Sequence, residues 1–149
     1  MADIDHRTMT PPSLRVVKSR DLDAGDTLRI WDFRIAQPNV SHVSMPVVHS
    51  IEHFLGSYFA EHEPRVVAVA PMGCQTGFYI VTLNVGTLPE ISRLIVVALS
   101  AIETAVEVPL ANVTDCGWAE NHSLPGAQAL ASWLLSRSDT WHESSIEMQ

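Results

Sequence analysis

The sequence predicts an α+β fold, a largely antiparallel sheet with helices packed on one face. Three observations predict it. Segments of strand and helix character do not alternate strictly: the order is strand, helix, two strands, two helices. The two middle strand-like runs are separated only by "PMGCQ", which fits a tight turn. The 149 residues show no internal repeat, low-complexity tract or linker. Residues 1–149 are therefore expected to form a single domain with its own hydrophobic core.

The elements follow in order. In "LRIWDFRIAQPN", Trp31, Phe33 and Ile35 alternate with Ile30, Asp32 and Arg34, the period of a strand that ends at the Gln37-Pro38-Asn39 turn. In "SMPVVHSIEHFLGSYFAEH", Val47, Val48, Ile51, Phe54, Leu55, Tyr58 and Phe59 keep helical spacing. Ser44 is placed to cap this helix and Pro46 suits its first turn. "RVVAVAPMGC" reads as a buried strand breaking at Pro71, and "TGFYIVTLN" as its successor. "TLPEISRLIVVALSAIETAV" opens with Thr87 and Glu90 three apart, a capping-box pattern, and continues with helical spacing from Ile91 to Ile102. "EVPLANVTDCGWAENH" is mostly loop, with room for a short strand near Val108. "SLPGAQALASWLLSR" reads as a third helix capped by Ser123, and "DTWHESSIEMQ" shows no regular pattern.

Composition narrows the function. Apolar residues make up 46% and charged residues 17%, the balance of a folded globular chain. Net charge is −8 with no basic run, so neither nucleic acid nor an anionic membrane is an expected partner. "MADIDHRTMTPPS" lacks the apolar core of a signal peptide. The apolar segment "ISRLIVVALSAIETAV" is interrupted by Arg93 and Glu103 and falls short of the roughly 18 uninterrupted apolar residues of a membrane span. The expected location is the cytoplasm. There the two cysteines, Cys74 and Cys116, would be free thiols available as ligands or nucleophiles, whereas an oxidising compartment would pair them.

The chemistry concentrates in "HSIEH". At about 100° per residue, His53 lies roughly 40° to one side of His49 and Glu52 roughly 60° to the other. The three share one helix face, opposite the apolar stripe. A solvated face would carry more Lys, Glu or Gln; here Met45, Gly56 and Ala60 surround the histidines, so something packs over this face too. Imidazoles at i and i+4 can point at one metal ion, and Zn²⁺, Fe²⁺ and Co²⁺ all accept them. H-x-x-E-H is also the pattern of inverted zinc proteases, in which the glutamate activates water. The third ligand is open among Cys74, Cys116 and loop histidines such as His122. Cys116 precedes a glycine in a polar loop, and Cys74 sits between Gly73 and Gly77 at a turn.

Taken together, these blocks resemble the S-ribosylhomocysteine lyase (LuxS) family. "DHRTMTPPSLR", "WDFRIAQPN", "HSIEH", "PMGCQTGFYI" and "ANVTDCGWAENHSLPGA" resemble that family's motifs in the family's order, from His6 to about Trp133. The resemblance implies a LuxS-like metalloenzyme fold and a carbon–sulfur lyase. Its reaction would cleave S-ribosylhomocysteine to homocysteine and 4,5-dihydroxy-2,3-pentanedione, the precursor of the quorum-sensing signal autoinducer-2, by two carbonyl migrations and a β-elimination. It implies that His49, His53 and Cys116 hold one divalent metal per subunit, ordinarily Fe²⁺, with Zn²⁺ or Co²⁺ as substitutes. Glu52 and Cys74 would be the acid–base pair, and His6 and Arg34 would line the substrate pocket. The family is a homodimer with active sites at the subunit interface, which would cover the second face of the 46–60 helix.

Two features depart from the family pattern. The segment between His53 and Cys74 is short, and Ala68 stands where an acidic residue is expected to contact the amino-acid end of the substrate. Three other readings follow: a LuxS-like paralogue acting on a different ribosyl thioether or sugar, a metallopeptidase with Glu52 as base, and a non-catalytic paralogue. The second leaves Cys74 without a task, and intact Glu52 and Cys74 weigh against the third.

Overall fold

The computed structural model describes residues 4–141. Its sheet is built around the strand whose alternation is clearest. Four strands, β1 (Ser13–Asp21), β2 (Thr27–Arg34), β3 (Val66–Pro71) and β4 (Gly77–Leu83), run in the order β1-β2-β4-β3, every neighbouring pair antiparallel. Trp31 and Phe33 of β2 face inward opposite Ile80 and Phe78 of β4. The one polar tip among them is satisfied: Trp31 Nε1 donates to Thr82 Oγ1 at 2.9 Å.

Three helices, α1 (Met45–His62), α2 (Leu88–Ile102) and α3 (Leu124–Ser136), cover that inner face. Ile51, Leu55 and Phe59 of α1, Ile91 and Ile95 of α2 and Ala127 and Ala131 of α3 join the strands in one core. The α+β architecture expected from the sequence is the one observed. Thr87 accepts the Glu90 N–H at the start of α2, and the Glu90 carboxylate accepts from the Gly86 N–H. Ser123 caps α3 by accepting from Gly126. Gly126 is required there, because a Cβ would collide with Val47 of α1.

The structure corrects several expectations. Strand β1 was not legible, because a bulge between Val16 and Lys18 breaks its alternation. Strand β3 is not buried. It is a sheet edge with Val67 and Ala68 exposed. Helix α2 stops at Ile102 rather than running on to Val106, and Gln128 of α3 donates to the Ile102 and Ala105 carbonyls at that end. No strand forms near Val108 among the described residues. Ser44 is the residue before α1, but its side chain makes no capping hydrogen bond. The unpatterned C-terminal stretch begins as a 3₁₀ turn at Ser138–Thr140, and Trp141 packs on Phe33 at 4.9 Å; residues 142–149 lie outside the described residues. Among the described residues no helix is long and apolar enough to cross a membrane.

Candidate functional site

Helix α1 presents His49 and His53 from adjacent turns, and the 103–123 segment between α2 and α3 folds over them. This segment, belonging to the same chain, is what packs against the polar face of α1. Its shape comes from Asn112, whose side chain accepts the Thr114 and Asp115 N–H groups and donates to the Asp115 carboxylate. That turn presents Cys116, whose N–H donates to the Asn112 carbonyl. Six residues on, His122 lies over the histidine pair, stacked on His49 at 4.0 Å and edge-on to His53 at 4.5 Å.

One donor atom from each of His49, His53, Cys116 and His122 lies within 4.8 Å of the others. The Cys116 sulfur is 3.5 Å from His49 Nε2 and 3.6 Å from His122 Nε2. Tetrahedral bond lengths to sulfur and imidazole nitrogen place such atoms about 3.6 Å apart. The spacing therefore fits a divalent cation held between them, and the nitrogen–sulfur donor set suits Zn²⁺, Fe²⁺ or Co²⁺.

The outer nitrogens fix the tautomers. His49 Nδ1 donates to the Asn121 carbonyl at 2.9 Å and His53 Nδ1 to the Pro109 carbonyl at 2.8 Å, since a carbonyl can only accept. Ser50 settles the third ring. Its hydroxyl donates to the Pro46 carbonyl at 2.8 Å and accepts from the Ser123 N–H at 2.9 Å. His122 Nδ1, 3.0 Å away, must then be the donor. All three rings turn an Nε2 lone pair toward the cluster. Burial, together with the neighbouring His49 and His53, lowers the His122 pKa to about 4, so its lone pair stays free at neutral pH.

Of the ligand candidates, Cys74 is not in this cluster, and His122 adds a fourth donor to the expected three. Ser50 carries no recognisable signal in the sequence, because serine on a helix usually bonds only to its own backbone. Ser50→Ala is expected to weaken retention of a bound divalent ion by about 10–100-fold in chelator competition, the usual cost of losing an outer-shell partner. Unchanged retention would show that Ser50 does not hold His122 in place.

The other expected residues gather elsewhere. Cys74 is exposed on the 72–76 turn, and Gln75, at φ 63, ties this turn to the residue before α1's cap through the Val43 backbone. Cys74 and Thr76 line a cavity of about 480 Å³ with His6, Pro38, Asn39 and His42. Arg34 enters from β2 and donates to Thr76 Oγ1 at 2.8 Å. Burial pushes the Cys74 thiol up, but hydrogen bonds from Thr76 and the Arg34 charge outweigh it and leave the pKa below the ordinary thiol value. Glu52 is half-buried on α1 between the two histidines and outside the donor cluster. Among the described residues no hydrogen bond or ion pair joins the Cys74 group to the histidine group. Ala68 is exposed on β3 opposite Val81 and does not line the Cys74 cavity.

Comparison with known proteins adds an independent finding. The family model described as S-ribosylhomocysteinase (LuxS) matches residues 2–145. The S-ribosylhomocysteine lyase of Chromohalobacter salexigens is 39% identical over 141 residues, spanning 95% of this chain and 91% of that protein. That of Halobacillus halophilus is also 39% identical, spanning 95% and 93%. That of Macrococcus caseolyticus is 38% identical over 140 residues, spanning 94% and 87%.

Proposed function

We propose, from the premise that this chain belongs to the S-ribosylhomocysteinase (LuxS) family, that it is a one-domain, metal-dependent carbon–sulfur lyase. Its substrate is S-ribosylhomocysteine, and its products are homocysteine and 4,5-dihydroxy-2,3-pentanedione, the autoinducer-2 precursor. The observation that carries this reading is the convergence of His49, His53, Cys116 and His122 on one point. A metallopeptidase would leave the Cys74 cavity unexplained.

When bound, a divalent ion held by His49, His53 and Cys116, Fe²⁺ ordinarily with Zn²⁺ or Co²⁺ as substitutes, supplies the Lewis acidity that makes protons beside a sugar carbonyl removable at neutral pH. The chain's own groups do the rest. Two carbonyl migrations each require a proton taken from one carbon and returned to a neighbouring carbon or oxygen. Cys74, with its lowered pKa, is suited to take it. Glu52 works beside the donor cluster and exchanges protons with the sugar oxygens. His6 lines the sugar's binding cavity and orients its hydroxyls, whereas Arg34, expected to line it too, is buried behind Thr76 and contributes its charge from there. In the last step a proton leaves the carbon adjacent to the carbonyl and the homocysteine sulfur departs with the carbon–sulfur electron pair.

Because, among the described residues of one chain, no bond joins Cys74 to the histidine cluster, the proposed working unit is a homodimer. The Cys74 cavity of one subunit completes the metal cluster of the other. The outer sheet face supports this: Val17, Lys18, Ile30, Tyr79 and Val81, all strand residues, line a concavity of about 370 Å³ to which, among the described residues, no helix contributes. Mixing inactive Cys74→Ala subunits with inactive Cys116→Ala subunits is expected to restore about a quarter of normal turnover after exchange, since half the dimers would carry one intact site. No recovery despite subunit exchange would sink the shared site. Both cysteines are free, which fits a reducing cytoplasm.

The direct test is thiol titration of metal-loaded protein incubated with S-ribosylhomocysteine; no thiol released from a fully loaded sample rejects the substrate. Ala68 favours one second reading, a ribosyl thioether whose amino-acid end differs from homocysteine. A higher kcat/KM for an analogue lacking the amino group would support that reading.

A further inference from the structure

We infer that Thr76 is a positioning residue for Cys74, a hydrogen-bond bridge that passes the Arg34 charge to the sulfur and holds Cys74 as a thiolate in the resting enzyme. The inference deepens the proposed acid–base reading of Cys74 and rests on it.

Arg34 Nη1 donates to Thr76 Oγ1 at 2.8 Å, and a guanidinium can only donate. Thr76 Oγ1 lies 2.9 Å from Cys74 Sγ. The hydroxyl has one proton of its own, and among the described residues its side chain has no other partner. If the thiol donated to Thr76, the Thr76 proton would be stranded at a site only 3% exposed. With Thr76 donating to the sulfur, the hydroxyl proton has its acceptor, and a thiolate accepts more strongly than a thiol sulfur, which is only a weak acceptor. Accepting from a cation also makes the hydroxyl a stronger donor. Arg34 itself is 3.9 Å from the sulfur, beyond the reach of a strong hydrogen bond, so the short contact belongs to Thr76.

Charge balance points the same way. Arg34 Nη2 donates to Asp32 Oδ2 at 2.7 Å, and Arg15 Nη2 lies 3.2 Å from the same oxygen. Asp32 is 1% exposed, Arg34 3% and Arg15 12%. Two arginines thus share one buried carboxylate, and a thiolate next to Thr76 neutralises the surplus positive charge. The titratable groups facing Cys74 from other elements are Arg34 of β2, His6 of the N-terminal 3₁₀ turn and His42 of the loop before α1. Of these, only Arg34 bonds to Thr76, and Thr76→Ser keeps that acceptor.

The test is the pH profile of iodoacetamide alkylation at Cys74, read by peptide mass spectrometry on zinc-loaded protein, together with kcat and KM. Thr76→Val is expected to move the midpoint upward and to slow alkylation at neutral pH roughly tenfold, the usual weight of one hydrogen bond to a charged group. kcat should fall with it, recover at higher pH, and leave KM little changed. Thr76→Ser restores the profile; if Thr76→Val does not fold, Thr76→Ala carries the same comparison. An unmoved midpoint, or Thr76→Ser behaving like Thr76→Val, overturns the inference. The alkylation profile is independent of turnover. A shifted profile in a protein that releases no thiol from S-ribosylhomocysteine would reject the lyase reading and leave the bridge standing.

Discussion

Cys74→Ala is expected to lower thiol release from S-ribosylhomocysteine by about 10²–10⁴-fold, the range that a positioned acid–base group contributes. The loss should fall on kcat. Metal content should stay at the wild-type level, because Cys74 is not among the four converging donors. The fold should also hold, because Cys74 is exposed on a turn whose geometry is set by backbone bonds between Met72, Gln75 and Gly77. Turnover within a few fold of wild type would remove Cys74 from the mechanism. Activity lost together with metal would mean that the 72–76 turn reports on the metal cluster rather than on proton transfer.

Cys116→Ala is expected to cost more than about 100-fold in metal affinity, since removing a direct ligand exceeds the cost of removing an outer-shell partner, and to bring thiol release to background. The sulfur sits 3.5 Å and 3.6 Å from two ring nitrogens, so its loss leaves three imidazoles and no anionic donor. Cys116 is half-buried on the 103–123 segment and contributes nothing to the apolar core. The unfolding transition of metal-free protein should therefore be little changed. Elemental analysis checks the metal directly: a full complement in the purified variant would exclude Cys116 from the ligand set.

The fold was legible wherever one periodicity ran undisturbed. Trp31, Phe33 and Ile35 alternate without a break, and α1 and α3 lie within a residue of their expected bounds. Strand β1 was hidden by a single extra residue at Val17, which sets two valines side by side and erases the period of two. The edge position of β3 was hidden for a different reason. A run such as "VVAVA" reads the same in the middle of a sheet as at its border, and only strand order distinguishes them.

The sequence by itself determined which residues are candidates for the chemistry. The i, i+4 spacing of His49 and His53 is a property of one helix, and their shared face follows from helix geometry alone. Cys74 and Cys116 were marked by the glycines and turns around them. Only the tertiary structure decided that Cys116 and His122 close over that face, that Ser50, Asn121 and Pro109 orient the rings, and that Arg34 reaches Cys74 through Thr76. The physical reason is distance along the chain. Periodicity encodes neighbours within a turn or a strand, whereas residues some 70 positions apart meet only through the path of the loops between them.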